Sequence, residues 1–121
     1  MNVVGWFEIY CSDLERAGKF YSTVLDVQLT DNQMEDFSMK MFPEDMQSYG
    51  SAGALAYEAN MAPGANSTVV YFNCEDCAVE ASRIVAAGGS VLREKMSIGE
   101  HGFIVMGQDT EGNMFGLHSM Q

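Results

Sequence analysis

Basic residues are scarce in this chain. Only six of its 121 residues are Lys or Arg, against 17 Asp or Glu, and the formal net charge is −11. Nucleic-acid and anionic-membrane partners select Lys/Arg patches, so neither is expected. The acid excess serves solubility and also suits a cationic ligand. Apolar runs are short: none approaches the roughly 18 residues of a membrane span. No basic stretch precedes an apolar one at the start, as a secretory leader would require, so a cytoplasmic location is expected. Cysteine is limited to Cys11, Cys74 and Cys77, an odd, low number that reads as reduced thiols. Cys74-x-x-Cys77 has no second C-x-x-C to complete a zinc site, and Cys74 closes a strand on its apolar face. Small-hydrophobe duty is the expectation for it. Phosphate loops, dinucleotide fingerprints, Ser nucleophile elbows and H-E-x-x-H patterns are missing too, so no covalent mechanism has a candidate.

What is present suffices for one domain. At 121 residues and 47% hydrophobic content, the chain builds one core but not two independent ones. Ten methionines suit core filling in a fold with a cavity, and also adaptable ligand surfaces.

The chain repeats at an offset of 63. Phe7-Glu8-Ile9-Tyr10-Cys11-Ser12-Asp13 lies over Val70-Tyr71-Phe72-Asn73-Cys74-Glu75-Asp76, matching Cys11 to Cys74 and Asp13 to Asp76, and further on Leu29 to Leu92. Each half reads as strand, helix and three strands. In the first half, Val3 to Cys11 is a strand by content. Ser12-Asp13-Leu14-Glu15 is a capping-box pattern. It opens a helix with Leu14, Ala17, Phe20, Tyr21, Val24 and Leu25 on one face. Strands follow at Val27 to Thr30, at Phe37 to Met41 by alternation, and at Gly53 to Glu58. Ala59 to Ser67, with Pro63-Gly64 inside, links the halves. In the second half, Thr68 to Cys74 is a strand. Asp76 caps a helix that carries Cys77, Ala81, Ile84 and Val85 on one face, and Gly88-Gly89 ends it. Strands at Ser90 to Glu94, His101 to Met106 and Met114 to Ser119 complete the unit. The expected fold is α+β: tandem βαβββ modules over residues 1–60 and 66–121, with eight strands curled into a cup and helices on the convex side.

Two segments carry a family resemblance. One is Asp109-Thr110-Glu111-Gly112-Asn113-Met114-Phe115-Gly116-Leu117-His118, a turn with Gly where positive φ is needed, followed by an alternating strand. The other is Phe7 to Tyr21. Together they resemble the vicinal oxygen chelate superfamily, which includes glyoxalase I, bleomycin-resistance proteins and extradiol dioxygenases. The resemblance covers nearly the whole chain and implies a small-molecule ligand and a homodimer, sometimes with cups completed across the subunit interface.

Alternation decides which side chains face the cup. Phe7, Ile9 and Cys11 lie under the helix, leaving Trp6, Glu8 and Tyr10 on the concave side. By the repeat, Val69, Tyr71 and Asn73 join them, and in the last strand so do Met114, Gly116 and His118. In metal-binding relatives four cup positions carry His, Gln or Glu. The resemblance places them at Trp6, Val69, Gly116 and a fourth near Leu55. Trp6, Val69 and Gly116 cannot ligate through their side chains. No cofactor is therefore expected. A shifted divalent-metal site would need Glu8 and His118, with Glu58 as a third ligand.

Two functions follow. In the first, Glu8 accepts a proton and His118 acts as electrophile or orienter, in a lyase- or isomerase-type transfer beside a carbonyl. In the second, the chain is a metal-free binding protein that sequesters a small, cationic ligand such as a bleomycin-type antibiotic. Trp6, Tyr10, Tyr71 and Met114 form the ligand-binding wall in either case. Structural readings compete throughout: Glu8 hydrogen-bonded to His118 or Tyr71, aromatic rings that merely fill a cavity, and His101 as an exposed turn residue.

Overall fold

The computed structural model describes residue 4 and residues 6–48, 50–64, 66 and 68–121. The expected strand start at Val3 and linker end at Ser67 lie outside the described residues. In chain order the elements are β1 (Glu8–Tyr10), α1 (Leu14–Leu25), β2 (Thr30–Gln33), β3 (Ser38–Met41) and β4 (Ala54–Tyr57). The second half follows with β5 (Tyr71–Asn73), α2 (Cys77–Ala81), β6 (Ser90–Ser97), β7 (Phe103–Gln108) and β8 (Met114–Ser119). The eight strands form two sheets of four, ordered β1-β4-β3-β2 and β5-β8-β7-β6. In each, the first and last strands of the module pair in parallel and the other pairs are antiparallel. The offset of 63 carries β1 onto β5 residue for residue. No helix among the described residues is long and apolar enough to cross a membrane.

One core serves both modules. Ile9, Cys11 and Leu55 from the first sheet meet Val105, Phe115 and Leu117 from the second, with Phe20, Tyr21 and Val24 of α1 and Cys77 and Ala81 of α2 among them. Aromatic contacts cross between the halves: Phe72 lies 5.5 Å from Phe42 and 6.2 Å from Phe7, and Tyr21 lies 5.6 Å from Phe115. Such ring pairs add about 0.5–1.5 kcal/mol beyond the area they bury. A smaller cluster covers the helix-free face of the first sheet, where Met39, Ala54 and Ala56 pack with Tyr10, Phe37 and Met41.

Strands β1 and β5 are shorter than expected and β6 runs on to Ser97; four further differences have a clear physical cause. The cap of α1 is Asp13, which accepts from Arg16 N, rather than Ser12. Beyond the helix, Asp26 adopts φ 54° and turns Val27 and Leu29 into the core. Their apolar character reflects that packing, and β2 begins only at Thr30. Helix α2 is a single short segment that continues as hydrogen-bonded turns. Arg83 N donates to Glu80 O, Ile84 N to Ala81 O and Gly88 N to Val85 O. This winding of about three residues per turn keeps Ile84 and Ala87 on the core side and rotates Val85 out, 68% exposed. Finally, β7 starts at Phe103, because Gly99–His101 forms a 3-10 turn.

All three cysteines are free; Cys11 and Cys77 are buried and Cys74 half-buried. Burial, then the nearby Asp109 and Glu111 charges, pushes the Cys11 thiol up to about 12. Burial, then Glu80, does the same for Cys74. Thiols held protonated in this way are poor nucleophiles and poor metal ligands.

Candidate functional site

The turn Asp109–Asn113 holds the two modules together and shapes the space between them. Gly112 takes φ 85°, as the turn requires. Asp109 is buried and accepts from Tyr21 Oη at 2.7 Å, from Glu111 N and Asn113 N at 2.8 Å, and from Asn113 Nδ2. Asn113 Nδ2 also donates to Tyr10 O, while its Oδ1 accepts from Gly64 N of the linker at 2.7 Å.

Glu111 reaches back across the chain to the start of α1. Its Oε1 accepts from Ser12 N, Ser12 Oγ and Asp13 N, and Arg16 holds both oxygens, with Nε at 2.7 Å from Oε2. Its side chain is fully buried. Burial alone would raise its carboxyl, but the hydrogen bonds from Arg16, Asp13 N, Thr110 and Ser12 outweigh it and hold the group at about 2. Sequence reasoning missed this residue. Its partners lie 95 to 99 positions away, and no local pattern marks such a contact.

Beside this turn lies a cavity of about 260 Å3, where β1, the linker and the start of β8 meet. Glu8, Tyr10 and Met114 line it, together with Phe7, Asn66 and Asn113. A second cavity of about 370 Å3 opens against Trp6 and the loop from Pro43 to Ala52. One carboxylate connects their walls. Trp6 Nε1 donates to Glu8 Oε2 at 3.2 Å, and Tyr10 Oη donates to Glu8 Oε1 at 3.0 Å. Burial, reinforced by its bond to Glu8 and by the charges of Glu8 and Glu58, pushes the Tyr10 phenol up, so it remains a donor.

Glu8 is exposed rather than enclosed in an apolar cup. The reason is its strand: β1 is a three-residue edge strand, with β4 on one side only. Neither His118 nor Tyr71 is its partner. His118 belongs to the other sheet, and its Nε2 donates to His101 O at 2.6 Å. That bond fixes the tautomer and leaves Nδ1 as the acceptor in the neutral ring. His101 itself is exposed in the 3-10 turn. Tyr71 stands on the helix-free face of the second sheet, 48% exposed. Of the predicted site residues, then, catalytic Glu8 and wall residues Tyr10 and Met114 share one cavity, Trp6 lines the second, and Tyr71 and His118 line neither.

The side chains at the family's metal positions do not fit an ion. The indole N–H of Trp6 is spent on Glu8. In β4 the register is now fixed: Leu55 is in the core, and the residues on the helix-free face are Ala54 and Ala56. Val69 has no donor atom. At Gly116 a Cβ would collide with the Tyr71 ring, which lies across the backbone there. Nor do Glu8, His118 and Glu58 gather: among the described residues no three His, Cys, Asp or Glu side chains come close enough to share an ion. Glu58 instead accepts from Asn60 N and Nδ2.

The sequence profile of the Glyoxalase/Bleomycin resistance protein/Dioxygenase superfamily matches residues 3–117. No curated protein sequence matches the chain. Solved structures share its fold. A glyoxalase I variant from Zea mays superposes with a TM-score of 0.77 at 20% identity, covering 96% of this chain but only 45% of its own. This chain thus spans less than half the length of the maize enzyme. An antibiotic-binding protein from Streptomyces sp. CB03234 superposes with a TM-score of 0.75 at 21% identity, over 98% of this chain and 96% of its own. A glyoxalase/bleomycin resistance protein from Albidiferax ferrireducens T118 gives 0.70 at 16% identity over 98% of both chains.

Proposed function

The chain belongs to the Glyoxalase/Bleomycin resistance protein/Dioxygenase superfamily, and we propose that within it this protein binds and sequesters a small planar molecule without a metal. The observation that carries this reading is the Trp6–Glu8–Tyr10 arrangement. The carboxylate in the wall of the cavity between the modules has both oxygens occupied by neighbouring aromatic donors. It orients two rings, and so builds a fixed aromatic edge for a flat ligand beside the cavity. His118, the other half of a proton-transfer pair, is bonded to His101 O on the second sheet. The non-ligating side chains at the metal positions support the same reading, as does the likeness in size and fold to a solved antibiotic-binding protein. The reading includes a homodimer, which light scattering on the purified protein tests.

Trp6 is the only tryptophan in the chain, so its emission reports on the site. Titration with planar aromatic ligands is expected to quench it saturably, and the ligand recovered afterwards is expected to be unchanged by mass spectrometry. Conversion of the ligand, abolished by Glu8→Gln, would overturn sequestration in favour of proton transfer.

A further inference from the structure

We propose that the bound molecule is a flat lactam, a heterocycle with a ring N–H beside a ring carbonyl, and that the free backbone edge of β1 reads that pair. The proposal rests on the small-molecule reading above and names the chemistry of its ligand.

The ladder of β1 uses one edge only. Phe7 O accepts from Ala54 N, Cys11 N donates to Ala56 O, and Ile9 lies opposite Leu55 between them. Peptide groups alternate sides along a strand, so Phe7, Ile9 and Cys11 aim at β4, while Glu8 and Tyr10 aim away from it. Strand β1 ends its sheet, and no other strand takes up that second edge.

The free edge faces the cavity between the modules. Tyr10 O accepts from Asn113 Nδ2 at 3.0 Å, and Asn113 lines that cavity together with Glu8, Ile9 and Tyr10. Beside this satisfied carbonyl, Tyr10 N and Glu8 O have no hydrogen-bond partner among the described residues. They form a donor and an acceptor side by side on one edge, and such an edge pairs with a group that presents the complementary pair.

The rest of the lining sets the shape of that group. Phe7, Pro63, Met114 and Phe115 give the cavity apolar walls. Its volume of about 260 Å3 is at the low end for ligand sites, which suits one or two fused rings. A lactam offers its carbonyl to Tyr10 N–H and its N–H to Glu8 O. A hydrocarbon satisfies neither group, and a carboxylate lacks the donor and meets the Glu8 charge.

The second module supplies a contrast. Strand β5 pairs with β8 in the same way, Gly116 N donating to Val70 O and Cys74 N to His118 O, so Tyr71 and Asn73 aim away from β8. Neither residue lines either cavity. An edge and a cavity coincide only at β1.

The test compares 2-quinolone with coumarin, which has the same two-ring shape and carbonyl but a ring oxygen in place of the N–H. By calorimetry 2-quinolone is expected to bind at least about tenfold more tightly, because coumarin leaves Glu8 O facing another acceptor. By NMR, saturation with 2-quinolone is expected to slow hydrogen exchange of the Tyr10 amide at least about tenfold. The Cys11 amide, already bonded to Ala56 O, should not change. Equal binding of the two probes, or a Tyr10 amide that exchanges as before, overturns the lactam reading and leaves the small-molecule reading standing. Failure of both probes to bind also overturns the lactam reading, whereas sequestration itself falls only if the wider Trp6 titration finds no ligand.

Discussion

The two modules share an order of elements but not a way of being stable. The first has strands of three or four residues and a 12-residue helix with a full cap. The second has strands of six to eight residues in β6, β7 and β8, and only five residues of regular helix in α2. The first is thus organised by its helix and the second by its sheet. The anchor of the first helix lies in the other half: Glu111, in the turn before β8, satisfies the backbone donors of Ser12 and Asp13 that precede α1. The second helix is capped from within its own module: Asp76 accepts from Ala78 N and pairs with Lys95, and Ser119 Oγ accepts from Cys77 N. Helix α1 therefore depends on the other module for its anchor, whereas α2 does not.

That inequality sets the order of expected effects. Glu111→Gln is expected to cost most, about 3 kcal/mol, from the loss of a buried carboxylate and its charged partner. Urea denaturation should still show one transition, since the Phe7–Phe72–Phe115 rings join the halves. Two transitions would mean that the halves are separable, and the comparison would fail. The same residue sets the acid sensitivity. Its carboxyl falls from an ordinary 4.5 to about 2 in the folded protein. A lowered folded value favours the folded state above the unfolded value, so this contribution is complete above about pH 4.5. It is lost as pH falls from there towards about 2, and amounts to about 3 kcal/mol. Stability measured across that window should drop steeply in the native protein and more shallowly in Glu111→Gln.

Gly116→Ala is expected to cost about 2 kcal/mol, because the added carbon meets the Tyr71 ring. Combining it with Tyr71→Ala should recover part of the loss, a coupling that a double-mutant cycle measures. Tyr21→Phe removes the donor to buried Asp109 and should cost about 1–2 kcal/mol. Asp76→Ala, the cap of the self-contained module, should cost least, about 1 kcal/mol. If it equalled Glu111→Gln, the modules would not differ as described.

Local chemistry made much of this legible in advance. The capping Asp76, the positive φ at Gly112 and the span of β8 all follow from residues within one turn or strand of each other. What escaped depended on distant contacts. Val27 and Leu29 look like a strand because apolar residues pack into a core as readily as they pair in a ladder. The tightening of α2 after Ala81 rotates Val85 into solvent, which a fixed period of 3.6 residues cannot foresee. For the site, alternation put Glu8, Tyr10 and Trp6 on one side correctly enough for them to meet. Pairing Glu8 with His118 required two sheets to meet in a particular way, and that geometry is invisible in either strand alone.

The ring of Tyr71 over Gly116 also constrains which neighbouring sequences are within reach. A glutamate or histidine at 116, the first step towards a metal-holding relative, is blocked while the ring stays, and trimming the ring alone leaves an uncovered strand with no ion to show for it. Neither single change is profitable without the other. A ligating side chain at this position therefore needs two changes at once, one at 116 and one at 71.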